Sequence, residues 1–152
     1  MTCAFGRGGV TDAKKEGDGC TPIGDWPLRR LYYRQDRVPP PETLLEITVI
    51  REDRGWCDES SHPLYNQDVS LPFDASHEQL FREDHLYDLM IPMGYNDQDI
   101  VPGAGSAIFF HLARDRYQPT EGCVAIAEAD MRRLLPLLSS KTILRVARQA
   151  AG

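Results

Sequence analysis

The chain has 152 residues, 41% hydrophobic and 26% charged, with a formal net charge of −6. That length suits one domain with its own hydrophobic core, spanning residues 1–152, and leaves little room for a second. An acidic chain with interspersed charges gives no reason to expect nucleic acid as a partner, and no run approaches the roughly 18–20 apolar residues of a membrane span.

The start, MTCAFGRGGV, lacks a basic stretch followed by an apolar one, so no leader is expected within the chain. Cysteines stand at Cys3, Cys20, Cys57 and Cys123. None forms a CxxC pair, which argues against a zinc ribbon or a dithiol redox site; the even count permits disulfides, Cys3–Cys20 among them. The segment Gly17 to Leu28, GDGCTPIGDWPL, has turn chemistry at both ends and reads as a loop or hairpin. Arg29, Arg30, Arg34 and Arg37 form a local basic cluster that reads as a solvated face. Pro39, Pro40 and Pro41 stiffen a connection before Leu44 to Ile50, an alternating β-branched strand with one buried face.

Ser76-His77-Glu78-Gln79 resembles a capping box, so a helix is predicted from Ser76, followed by a strand within Leu86 to Met93. The turn at Gly103 to Gly105 leads into the apolar strand Ser106 to Leu112; GAGS before a strand is the wrong order for a phosphate-cradling helix start. Cys123 to Ala127 is a short strand, Glu128 to Leu138 a helix that Pro136 ends or kinks, and Thr142 to Val146 a last strand. The fold class is therefore mainly β, with one or two short helices.

Chemistry concentrates in Phe110 to Ile126, FHLARDRYQPTEGCVAI. A cysteine attacks as a thiolate and needs a base or a positive neighbourhood. Histidine is the usual base because it titrates near neutrality. His111 ends one apolar strand, Cys123 begins the next, and the polar loop Ala113 to Glu121 joins them; pairing of the two strands would let the side chains meet. Gly122 permits an unusual backbone that can turn amide N–H groups toward an oxyanion. The competing reading is a satisfied core histidine and a buried thiol. Cys57 is a rival nucleophile, but it lacks the Gly-Cys turn and lies beside Asp58. Cys57, Asp58, His62, His77 and His85 match no familiar ligand spacing, so no metal and no cofactor is expected. Trp56, Asp58, Tyr65 and Asn66 form a polar aromatic patch that reads equally as a cleft lining for a zwitterionic peptide or as a loop anchor. Ser106 reads first as a strand-start residue, with a place in the cleft as the alternative.

Thr120-Glu121-Gly122-Cys123-Val124 resembles the active-site signature of the YkuD-type L,D-transpeptidases. Gly19 to Trp26, GCTPIGDW, is similar to that family's G-x-x-TP-x-G-x-[FW] hairpin, and the order of parts agrees from about Gly6 to Val146. The resemblance implies an L,D-transpeptidase-like β-sandwich in the periplasm or cell envelope, acting on peptidoglycan stem peptides as donor and acceptor. It implies that Cys123 attacks the carbonyl of a bond between an L- and a D-centre and carries the acyl group as a thioester. His111 would be the general base, its ring oriented by the Leu112 backbone carbonyl, and the Gly122 and Cys123 amides would form the oxyanion hole. Carbapenems would acylate the same thiol.

Three departures bear on the substrate: Glu121 stands where many members carry histidine, Ala125 where Arg or Asn is common, and the loop between His111 and Cys123 is short. A carboxylate at Glu121, next to Thr120, disfavours a thiolate but would suit an acceptor's amine. A compact branch of the family joins L-Ala of one stem to diaminopimelate of another, a 1,3 rather than a 3,3 link. The alternatives are an L,D-carboxypeptidase or endopeptidase using the same site, and a catalytically silent peptidoglycan-binding module.

Overall fold

The computed structural model describes residues 1–150; the last two residues of the expected 1–152 unit lie outside the described range. With 12 Gly and 11 Pro interrupting the chain, every strand is short. In order they are β1 (Cys3–Ala4), β2 (Val10–Thr11), β3 (Thr21–Pro22), β4 (Gly24–Pro27), β5 (Leu31–Tyr33), β6 (Ile47–Val49), β7 (Arg54–Cys57), β8 (Asp68–Ser70), β9 (His77–Gln79), β10 (Leu89–Pro92), β11 (Phe109–Leu112), β12 (Val124–Ile126) and β13 (Ile143–Val146). One α-helix, α1 (Glu128–Leu134), runs into a 3₁₀ turn at Leu135–Leu137, and a second 3₁₀ turn lies at Asp115–Tyr117. The architecture is mainly β, as the sequence predicts.

The central sheet has six strands in the order β1-β12-β11-β10-β5-β6. β10, β11, β12 and β5 are buried at every residue, because both faces of the sheet are covered. Alternation divides their side chains between two cores. Leu31, Tyr33, Leu89, Ile91, Phe110, Leu112, Val124 and Ile126 face one, with Met131, Leu135 and Leu138 from the helical segment packed over them. Tyr32, Met90, Phe109 and Cys123 face the other, closed by Trp56, Leu80, Leu86 and Tyr87. A three-stranded sheet, β8-β7-β9, supplies Trp56 to this second layer. Trp56 packs edge-on against Phe109, with centroids 5.0 Å apart. Burying these sets removes large apolar areas from water, and that is what holds the two layers to the sheet.

Several local expectations are corrected. Ser76 does not start a helix: His77–Gln79 is β9, antiparallel to β7 through Cys57↔His77 and Gly55↔Gln79. The Ser76 hydroxyl donates to Asp58 Oδ1 at 2.6 Å instead of capping, and only Leu80, next after β9, is fully buried, too little apolar surface to seat a helix there. Gly17 to Leu28 is not a self-paired hairpin. β3 pairs parallel with β2, and β4 pairs antiparallel with β13, so the segment ties both ends of the chain to the body. Ile47 is 41% exposed because β6 is an edge strand; Leu45 and Val49 do turn inward. The basic cluster is not a solvated face: Arg29, Arg30, Arg34 and Arg37 pair with Asp97, Glu46, Asp36 and Asp88, and Arg34 is 3% exposed. All four cysteines are free thiols, so Cys3 and Cys20 are not joined. Pro136 falls within the 3₁₀ turn that ends α1, as its missing N–H requires. No helix among the described residues is long and apolar enough to cross a membrane.

Candidate active site

β11 and β12 pair in parallel, with Phe110 opposite Val124 and His111 opposite Ala125. The chain therefore crosses back through Ala113 to Gly122 before β12 begins. In this register His111, Ala125 and Cys123 project from the same face, and His111 is the diagonal neighbour of Cys123, about 8 Å away between Cα atoms by sheet geometry. All three line one cavity of about 560 Å³.

Cys123 is 8% exposed. Its Sγ donates to the Ala107 carbonyl and accepts from the Phe109 amide, both at 3.3 Å. The loop before it is clamped from two sides. Arg7 N–H donates to Thr120 O and Thr120 N–H to Phe5 O, while Thr21 Oγ1 accepts from Gly6 N–H and donates to Cys123 O at 3.4 Å. The Thr-Pro of the upstream motif thus acts as a fully buried brace under the nucleophile loop. Gly122 has φ 136°, and a Cβ there would stand 2.8 Å from the Cys20 carbonyl oxygen, so the position requires glycine.

His111 is 5% exposed, and its Nδ1 lies 2.9 Å from the Leu112 carbonyl oxygen. A carbonyl only accepts, so Nδ1 carries the proton and Nε2 is left as the basic nitrogen. The Tyr87 ring packs edge-on against the imidazole at 5.2 Å. Burial lowers the His111 pKa to about 4, the Leu112 bond opposing the shift. Burial also pushes the Cys123 thiol up to about 12, with the Glu78 carboxylate adding to it. No hydrogen bond joins the two residues; at rest they are a neutral thiol and a neutral imidazole.

Residues 1–146 match the family model for the YkuD L,D-transpeptidase catalytic domain. The chain belongs to that family. No curated protein and no solved structure gave a significant match. The L,D-transpeptidase family is cysteine-dependent, acts on peptidoglycan stem peptides and is typically found in the cell envelope. The mainly β, layered architecture agrees with the family's sandwich-like fold.

The remaining expected site residues divide in two. Thr120, Glu121, Asp58 and Ser106 line the cavity with Cys123 and His111. Trp56, Tyr65 and Asn66 do not; they brace it from behind. Asn66 Oδ1 accepts from Trp56 Nε1 at 2.9 Å and from the Ala107 amide at 3.0 Å, and its Nδ2 donates to the Tyr95 and Asn96 carbonyls. Asn66 therefore holds Ala107, whose carbonyl touches the thiol. Tyr65 and Ser106 both donate to the Glu16 carboxylate. The Gly122 amide, expected in an oxyanion hole, donates to Thr120 Oγ1 at 3.1 Å, and the same hydroxyl donates to Cys123 O at 2.6 Å. Glu121 is drawn out to the rim by Arg7, 2.8 Å away, and its side chain is 78% exposed. The rival Cys57 is fully buried in β7 and outside the cavity.

Sequence reasoning missed the other charged walls: Lys14, Glu16, Glu78, Arg82 and Arg114. Glu78 and Arg82 were hidden by the expected helix at Ser76, since only the strand register aims Glu78 inward. Lys14 and Glu16 sit in a Gly-bounded loop with no motif around them. Among the described residues no three His, Cys, Asp or Glu side chains converge where a metal ion could sit.

Proposed function

We propose that the protein is a peptidoglycan L,D-transpeptidase that works through a Cys123 thioester and forms the L-Ala to diaminopimelate (1,3) link. The observation that carries this is the common cavity holding the Cys123 thiol and an imidazole with its Nε2 left basic by the Leu112 carbonyl. His111 Nε2 takes the thiol proton as Sγ bonds to the donor carbonyl. The tetrahedral intermediate collapses, the C–N bond breaks, and the imidazolium returns the proton to the leaving amine. An acceptor amine then forms the new C–N bond, the C–S bond breaks, and the proton passes through His111 to Sγ. The neutral resting pair fits general-base attack rather than a standing thiolate. Ala125 leaves the position two after the nucleophile without a polar side chain, which supports a donor pocket unlike that of Arg- or Asn-bearing members. Such a substrate places the enzyme in the periplasm or cell envelope.

Purified muropeptides incubated with the enzyme, beside Cys123→Ala, test the reading by product mass spectrometry. Cross-linked dimers that fragment to an L-Ala–diaminopimelate junction, absent from the variant, are expected, and a carbapenem should leave an adduct on Cys123. Shortened monomers alone would make it a carboxypeptidase or endopeptidase, a 3,3 junction would overturn the linkage, and an active Cys123→Ala would overturn the mechanism. No turnover with unmodified Cys123 would leave a silent binding module.

A further inference from the structure

We propose that Glu78 is the subsite that receives the acceptor's primary amine as an ammonium group, holding it in the cavity beside Cys123 until it loses one proton to solvent and attacks as the neutral amine; the acceptor's identity rests on the function proposed above. Four carboxylates line the cavity: Glu16, Asp58, Glu78 and Glu121. Glu121 is spent on Arg7 at the rim. Glu16 holds the Ser106 and Tyr65 hydroxyls, and Asp58 accepts from Ser76. Glu78 accepts the Tyr87 hydroxyl on Oε1, and among the described residues no side chain donates to Oε2. Its nearest cation, Arg82, stands 4.0 Å away and is itself gripped by both oxygens of Asp84 at 2.7 and 2.8 Å.

Among the described residues no other cavity cation pairs with Glu78. Lys14 is bound to Asp18 at 2.5 Å, and Arg114 lies on the His111 side. Glu78 is thus the inner carboxylate without a full counter-charge: burial raises its pKa, the Tyr87 hydroxyl and Arg82 only oppose that, and the Asp58 and Glu16 carboxylates add to it, so a cation beside it is what would hold it ionised. A primary ammonium offers three donors and one charge, which is what Oε2 and that field lack.

Position couples this site to the nucleophile. Glu78 is the foremost charge opposing a Cys123 thiolate, with Lys14 and Arg82 acting the other way. An ammonium at Glu78 cancels that opposition, so a cationic group beside the thiol both binds and eases its ionisation. The charge at the rim matters less, since Glu121 is exposed and already paired.

The test needs no peptidoglycan. Cys123 of the intact enzyme is alkylated with cationic 2-bromoethylammonium and with neutral iodoacetamide, each rate divided by that of glutathione and read on the Cys123 peptide by mass spectrometry. The enzyme should favour the cationic reagent by about three- to tenfold, less so in 1 M salt. Glu78→Gln should abolish the preference and speed iodoacetamide, whereas Glu78→Asp should keep part of the preference. Should Glu78→Gln misfold by circular dichroism, the salt dependence in the unaltered protein decides. Equal relative rates for the two reagents in the unaltered protein, or a preference that survives Glu78→Gln, would overturn the subsite. Because these readouts do not involve cross-linking, an enzyme that makes dimers without charge preference refutes Glu78 alone. A charge preference without dimers refutes the transpeptidase reading alone.

Discussion

Burying His111 should make the protein acid-sensitive in a calculable way. Its pKa drops from 6.5 to about 4 because burial excludes the charged ring. The folded state therefore resists a proton that the unfolded chain accepts. No stability is lost above the unfolded pKa, and stability falls as pH drops from about 6.5 to about 4. That gap is worth about 3 kcal/mol. Carboxylates titrate in the same range, so the measurement is a difference: urea unfolding of the unaltered protein and of His111→Gln, near pH 7 and near pH 4. Glutamine can still donate to the Leu112 carbonyl but takes up no proton. The unaltered protein should lose about 3 kcal/mol more than the variant over that range, with similar denaturant slopes. Parallel losses, within about 0.5 kcal/mol, would mean that His111 reaches water or a counter-ion in the folded state, and the neutral-pair account of the site would fall with it.

Gly122→Ala forces a side chain into positive φ and against the Cys20 carbonyl at 2.8 Å; it should cost about 2–3 kcal/mol in urea unfolding, and an unchanged midpoint would contradict the clamp on the nucleophile loop. Asn66→Ala strips partners from Trp56, Ala107, Tyr95 and Asn96 at a buried site, so a loss of about 3 kcal/mol or more is expected, together with slower acylation of Cys123; a variant of normal stability and rate would remove Asn66 as the support for Ala107. Glu121→Gln breaks only an exposed pair with Arg7 and should change stability by less than about 1 kcal/mol; a Cys123 alkylation rate altered beyond about twofold would show that Glu121, not Glu78, sets the field at the thiol.

The reading from sequence succeeded where one residue carries a local constraint. The apolar run into His111, the Gly-Cys turn and the Thr-Pro motif each specify backbone, and all three meet under Cys123. It failed where tertiary pairing decides. Ser76 to Gln79 has capping chemistry, yet β7 offers that segment a ladder partner, and pairing outweighed the local preference. That error concealed Glu78, because a helical register and a strand register aim different side chains inward. Trp56 and Asn66 were visible as a patch, but only the fold shows that they stand behind Ala107 and not in the cavity. Arg7 is 114 residues from Glu121, and no local pattern announces such a pair.

The electrostatics of the cavity follow from how the sheet is covered. Parallel pairing places His111 and Cys123 on one buried face, and burial disfavours both the imidazolium and the thiolate. A standing ion pair would need a cation aimed at sulfur, but Lys14 is engaged by Asp18 and Arg82 by Asp84. Glu78 works in the opposite direction. The protein's own groups are therefore set against ionisation of the buried thiol. A cationic group bound at Glu78 supplies the missing positive charge. Ionisation of Cys123 then becomes a property of the occupied cavity, and the thiol should react faster with a cationic partner bound than with the cavity filled by water alone.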